Sequence, residues 1–142
     1  MICLSRDRVA EIFRYLEGHY PHEACGYLLG RLGDPDRVTG IRPMRNVNTE
    51  RAHDRYVMDP REQLAATKEA RAAGVSLIRV FHSHPDHPAK PSGTDLEIAQ
   101  PVYTYMIVSV REGGAAEWTC WILDESARAF VPRVVQLVDT VE

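Results

Sequence analysis

The chain has 142 residues, of which 44% are hydrophobic and 26% charged, with a net charge of −3 and a pI near 6.1. These values fit one ordinary globular domain, predicted to span residues 1–142, with enough apolar side chains to build a core. They exclude a strongly basic nucleic-acid binder, and no apolar run is long enough to cross a bilayer, so neither nucleic acid nor membrane is an expected partner.

The stretch Met1-Ile2-Cys3-Leu4-Ser5-Arg6-Asp7 lacks the layout of a signal peptide, which predicts a cytoplasmic protein. Ser5 can cap a first helix over roughly residues 6–18, in which Val9, Ile12, Phe13 and Leu16 recur at helical spacing and should face the core. Pro21 helps to end that segment. Residues 24–30 then read as a strand, Gly33-Asp34-Pro35-Asp36 as a turn and residues 38–44 as a second strand. The polar stretch from Asn46 to Ala52 is loop-like, and residues 55–58 suggest a short strand. Asp59-Pro60-Arg61-Glu62 marks a helix start, with Asp59 as N-cap, Pro60 as first helical residue and Glu62 as the reciprocal partner of a capping box. Gly74 stops this helix after Ala72-Ala73.

Val75-Ser76-Leu77-Ile78-Arg79-Val80-Phe81 is mostly apolar and partly β-branched, as suits a buried strand. His82-Ser83-His84-Pro85 stands at its C-terminal end. Pro85, Pro88 and Pro91 punctuate a loop, and Ser92 reads as the N-cap of a helix with Asp95 in its first turn. Residues 103–110, 118–123 and 129–138 are strand-like, and Gly113-Gly114 is a turn between the first two. Helices interleaved with strands predict an α/β domain with a mixed β-sheet flanked by helices.

The chemistry concentrates between His82 and Asp95. Residues i and i+2 of a strand point to the same face, so both imidazoles could reach one metal ion. Asp95 would add a carboxylate oxygen. Three protein ligands leave the fourth tetrahedral position of a zinc ion open, the arrangement of a hydrolytic site and not of a structural one. Taken alone, each piece has a plainer reading: His-x-His pairs are common as surface or packed residues, and Ser92-x-x-Asp95 is often a cap and nothing more. Capping and catalysis by Ser92 do not exclude each other. Cys3, Cys25 and Cys120 form an odd set without CxxC spacing, which argues against a disulfide framework and a cysteine metal site. Each is expected to pack as a small hydrophobe, although Cys25 could border the site.

His82-Ser83-His84-Pro85 followed by Ser92-x-x-Asp95 resembles the signature of the JAMM (MPN+, Mov34/PAD-1-like) metallopeptidases. Glu23, in Glu23-Ala24-Cys25-Gly26-Tyr27-Leu28-Leu29-Gly30, matches that family's upstream glutamate. The resemblance runs from the first helix to at least the strand at 103–110, with no departure at the five key positions, and is strongest to the short bacterial members. It implies a cytidine-deaminase-like architecture, one Zn2+ ion on His82, His84 and Asp95, Glu23 as general base, and Ser92 as hydrogen-bond donor to the oxyanion. It further implies a peptidase or isopeptidase acting after the C-terminal Gly-Gly of a ubiquitin-like sulfur-carrier protein, one such activity being release of cysteine from the carrier's tail. The tail could dock by adding a strand to a sheet edge, with residues 46–55 as a groove wall. A non-catalytic interaction module of the same fold and a zinc peptidase for other small peptides are the competing readings. A zinc nucleobase deaminase fits less well, because His84 replaces the glutamate of H-x-E and no CxxC follows. His87 reads as a bystander, Ser83 as structural, and His19, His22 and His53 as surface residues. Nothing in the sequence fixes an oligomeric state.

Overall fold

The computed structural model describes residues 1–100 and 103–141. In chain order its elements are β1 (Ile2–Ser5), α1 (Arg6–Glu17), β2 (Cys25–Arg31), β3 (Asp36–Met44), α2 (Pro60–Ala72), β4 (Ser76–Pro85), α3 (Gly93–Ile98), β5 (Thr104–Arg111), β6 (Gly114–Asp124), β7 (Ala129–Pro132) and β8 (Val135–Val138). The strands form one eight-stranded mixed sheet in the order β7-β6-β5-β4-β2-β3-β1-β8. The pairs β1–β3, β1–β8 and β4–β5 are parallel and the other pairs antiparallel. No helix among the described residues is long and apolar enough to cross a membrane.

Helices cover both faces. On one, Ser5 caps α1 by accepting the Arg8 N–H at 3.1 Å, and the helix buries Val9, Ile12 and Leu16 against Phe81, Met106 and Val108. On the other, α2 contributes Ala66 to a second cluster with Cys25, Met44, Val80 and Tyr105. β4 serves both cores. Its register against β2 passes from Arg79↔Leu28 to Leu77↔Leu29, so Ile78 is an extra bulged residue. Beyond the bulge the side chains alternate. Phe81 and Ser83 then face the α1 side, and Val80, His82 and His84 the α2 side.

Gly26 secures this strand pair. It lies opposite Phe81, and a Cβ there would come within 2.4 Å of the Phe81 ring and 2.9 Å of the Arg42 carbonyl. Only glycine lets that ring lie across the β2 backbone.

Several sequence-based expectations need correction. The predicted strand at 75–81 runs on to Pro85, so the histidines lie inside β4. Residues 55–58 are irregular and not a strand. β1 was not anticipated, although all four of its residues are buried. The single strand expected over 129–138 is two, β7 and β8, at opposite edges of the sheet, because the intervening Arg133 turns inward to pair with Asp36 at 2.9 Å. The turn before β6 is Glu112-Gly113, both at positive φ, and Gly114 already belongs to the strand. Asp59 caps α2 as expected, but Glu62 does not close a capping box: its carboxylate accepts from the Arg45 N–H and from Arg42.

Candidate metal centre

At the C-terminal end of β4, His82 and His84 turn to the same face as the helix start that carries Asp95. His82 Nε2 and His84 Nε2 lie 3.2 Å apart. His82 Nε2 is 3.1 Å from Asp95 Oδ1, and His84 Nε2 is 3.1 Å from Asp95 Oδ2. All three residues are buried, at 0%, 7% and 6% exposure. Among the described residues this is the group of histidine, cysteine and carboxylate side chains placed to hold a metal ion.

Local structure makes the cluster stiff. His84 Nδ1 lies 3.0 Å from the Pro88 carbonyl, which can only accept. Nδ1 is therefore the protonated nitrogen, leaving the Nε2 lone pair aimed at the cluster. Asp95 is fixed by a capping box: Ser92 Oγ accepts the Asp95 N–H at 3.0 Å, and Asp95 Oδ2 accepts the Ser92 N–H at 2.8 Å. The Ser92 hydroxyl hydrogen remains available to the cleft. Tyr56 stacks on His82, with centroids 4.7 Å apart and planes inclined by 32°.

The donor set fits a small divalent cation. At zinc–ligand bonds near 2.0–2.1 Å, atoms at tetrahedral corners lie about 3.3 Å apart, close to the three separations seen here. Two imidazole nitrogens and a carboxylate buried face to face also match the ligand chemistry of zinc. The electrostatics agree. Burial alone would raise the Asp95 pKa, but the two histidines and the Ser92 N–H hold it well below the usual carboxylate range. Burial lowers His82, and Asp95 offsets this only in part. At His84 burial works the same way, yet the bonds to Asp95 and Pro88 outweigh it and its pKa rises.

Glu23 faces this centre across a cleft of about 360 Å³, whose walls include His84, Ser92, Asp54, Arg55 and Lys90. It precedes β2 and is 6% exposed. Its backbone is held on both sides: its N–H donates to the Ala52 carbonyl at 2.5 Å, and its carbonyl accepts from Asn46 Nδ2 at 3.0 Å. The next residue is pinned to β4, with the Ala24 N–H donating to Ser83 Oγ at 2.9 Å and the Ser83 N–H donating to the Ala24 carbonyl at 3.0 Å. Burial pushes the Glu23 pKa up to about 8, and the nearby His84 pulls against it. A carboxyl poised near neutrality can take up and release a proton.

The other residues singled out in the sequence fall into place around this frame. Cys25 is fully buried beside Met44, and burial pushes its thiol pKa up to about 12, so it packs and does not react. His87 is exposed on the cleft rim, while its carbonyl accepts from Ser109 Oγ at 2.6 Å. His19, His22 and His53 are exposed and away from the cluster. The loop 46–55 supplies Asp54 and Arg55 to the cleft, and Arg55 donates to the Thr94 hydroxyl across it. Among the described residues the outermost strands of the sheet are β7 and β8, and β4 lies inside it. Two residues escaped the sequence reading: Tyr56 and Asn46. Asn46 uses both ends of its amide, donating to the carbonyls of Glu23 and Arg55 and accepting the N–H groups of Asn48 and Val57. Its only sequence signal is an asparagine in a long polar loop.

Comparison with known proteins agrees with the fold. The family described as prokaryotic homologs of the JAB domain matches residues 5–122. A desampylase of Haloferax volcanii is 38% identical over 104 residues, covering 72% of this chain and 73% of the relative. A CysO-cysteine peptidase of Mycobacterium tuberculosis is 33% identical over 113 residues, covering 79% of this chain and 75% of the relative. A solution structure from Desulfitobacterium hafniense superposes with a TM-score of 0.86 at 31% identity, covering 100% of this chain and 96% of that one.

Proposed function

The chain belongs to the prokaryotic JAB-domain family and is a hydrolase; from that premise we propose that it is a single-domain, cytoplasmic zinc peptidase acting after the C-terminal Gly-Gly of a ubiquitin-like sulfur-carrier protein. The observation that carries this reading is the convergence of His82, His84 and Asp95 at 3.1–3.2 Å with Glu23 on the opposite wall of one cleft. Bound at these three residues, zinc would supply a Lewis acid that acidifies water and polarises the scissile carbonyl. Glu23 takes the proton from the attacking water and passes it to the leaving nitrogen. The Ser92 O–H donates to the oxyanion of the tetrahedral carbon, while its oxygen continues to accept the Asp95 N–H. The hydrogen bond from Arg55 to Thr94 joins the loop 46–55 to α3 at the cleft. In this reading the tail lies in the cleft, with the loop 46–55 as one wall.

The test is intact-mass spectrometry of a Gly-Gly-ended sulfur carrier bearing one extra cysteine, incubated with zinc-loaded protein. We expect loss of the cysteine mass with the wild type, and a rate reduced at least about hundredfold in Glu23→Gln, as suits removal of a general base. Equal turnover by Glu23→Gln would remove Glu23 from the mechanism. No turnover by protein shown to hold zinc would favour a non-catalytic module or a different peptide substrate.

A further inference from the structure

Between β4 and α3 the chain crosses back over the sheet, and this loop carries the Pro88 carbonyl that lies 3.0 Å from His84 Nδ1. The same carbonyl accepts the Lys90 N–H at 2.8 Å, a bond that moves with the loop and does not tie it to the sheet. The ties come from the carbonyls on either side. Ser109 Oγ, on β5, donates to the His87 carbonyl at 2.6 Å, and Thr119 Oγ1, on β6, donates to the Ala89 carbonyl at 2.6 Å. The direction of both bonds is fixed, because a carbonyl oxygen can only accept. The Trp121 indole N–H donates to Thr119 Oγ1 at 2.7 Å, which leaves the hydroxyl hydrogen to Ala89. Register puts both hydroxyls on the face that carries the histidines: His84 pairs with Ser109, and His82 with Ile107, which pairs with Thr119. The loop is pressed close at this point, with Ser109 2% exposed and Ala89 fully buried.

We propose that Ser109 and Thr119 are positioning residues of the metal centre, which hold the Pro88 carbonyl against His84 and so keep its Nε2 aimed at the ion. This rests on the reading of His82, His84 and Asp95 as metal ligands. Neither hydroxyl acts on a ligand directly. Each acts through the backbone, and the peptide geometry carries the constraint. Residues 87, 88 and 89 are consecutive, the peptide planes between them are rigid, and proline locks its own φ. With the carbonyls of His87 and Ala89 both held, the Pro88 carbonyl between them has little room to swing. A ligating histidine takes its tautomer and its ring orientation from the partner of its second nitrogen. The determinants of metal binding therefore extend past the last ligand, onto two strands that carry none.

The test measures zinc affinity by competition with a chromogenic chelator, and follows the His84 Nδ1–H signal of the zinc-loaded protein by NMR. Neither readout needs turnover, so the result stands apart from the peptidase reading. Ser109→Ala and Thr119→Val should each weaken zinc binding about three- to tenfold, and the double variant at least about tenfold, the low end of what loss of a ligating histidine's direct partner costs. In the double variant the Nδ1–H signal should shift upfield and exchange with water faster, as its bond to Pro88 loosens. Thr119→Ser keeps the hydroxyl and should bind zinc as the wild type does. So should Thr67→Ala, which removes a hydroxyl from the exposed side of α2. These two separate positioning from a general loss of stability. If the double variant does not fold, Thr119→Val against Thr119→Ser decides alone. Affinity of the hydroxyl-deleted variants within about twofold of the wild type would overturn the proposal. Weaker binding with an unchanged Nδ1–H signal would do the same. Wild-type protein that takes up no zinc would overturn the ligand assignment, and the proposal with it.

Discussion

Replacement of Ser83 by alanine tests how the fold presents Glu23. The Ser83 side chain is 1% exposed, and its Oγ accepts the N–H of Ala24, itself 2% exposed. Alanine removes the acceptor and leaves the Ala24 N–H in a space that water does not reach. An orphaned buried donor costs about 1–3 kcal/mol, whereas the packing lost with one hydroxyl oxygen is small by comparison. For a domain of this size that corresponds to a fall in Tm of roughly 3–12 °C. Urea unfolding followed by tryptophan fluorescence measures it, with Thr67→Ala as control. The Thr67 hydroxyl donates to the Gln63 carbonyl on the exposed side of α2, and its loss should stay within about 0.5 kcal/mol. Because Ala24 follows Glu23, the hydroxyl is also a positioning group, and kcat should fall while KM changes little. A loss of stability no larger than that of Thr67→Ala would show that the β4-to-Ala24 bond is not what fixes this segment, and the account of Glu23 presentation would fail with it.

Gly26→Ala should cost about 1–3 kcal/mol through overpacking against the Phe81 ring; the double variant with Phe81→Leu should cost less than the sum of the two singles by at least about 0.5 kcal/mol, and strict additivity in urea melts would refute the contact. Zinc should be retained above neutrality and lost as pH falls through about 6 toward 4, because both histidines must be unprotonated to bind it. His84, whose pKa is raised, takes up its proton first on acidification, His82 follows, and Asp95, held well below the carboxylate range, stays charged throughout. Zinc still bound after equilibration near pH 4, by release to a chromogenic chelator, would contradict ligation by this trio.

Local signals were legible in the sequence. Ser5, Asp59 and Ser92 each cap the helix their spacing foretold, and the period-2 placement of His82 and His84 brought both imidazoles to one face. These are short-range rules, satisfied by residues within a few positions of each other. What stayed hidden depends on partners far along the chain. β1 is a strand because β3 and β8 flank it, and four residues beside a helix cap give no period of their own. The Ile78 bulge exists only against the β2 register. Arg133 breaks the last strand because Asp36 draws it inward. Asn46 is an ordinary loop asparagine until the carbonyls of Glu23 and Arg55 are brought to it.

The placing of β1 between β3 and β8 bears on how the chain reaches its native state. Ile2 and Cys3 pair with Asp36 and Arg37 early in the sequence, but Ile2 to Ser5 also pair with Val135 to Val138 near its end. During synthesis the first strand leaves the ribosome long before its second neighbour is made. Until β8 arrives, one side of β1 is an unsatisfied edge with Ile2 and Leu4, both wholly buried in the finished protein, close by. The closing contact joins segments more than a hundred residues apart, and contacts of such long sequence separation are slow to form. The chain therefore carries an adhesive strand until β8 is in place, and that exposure to aggregation ends only when Val135–Val138 pair with it.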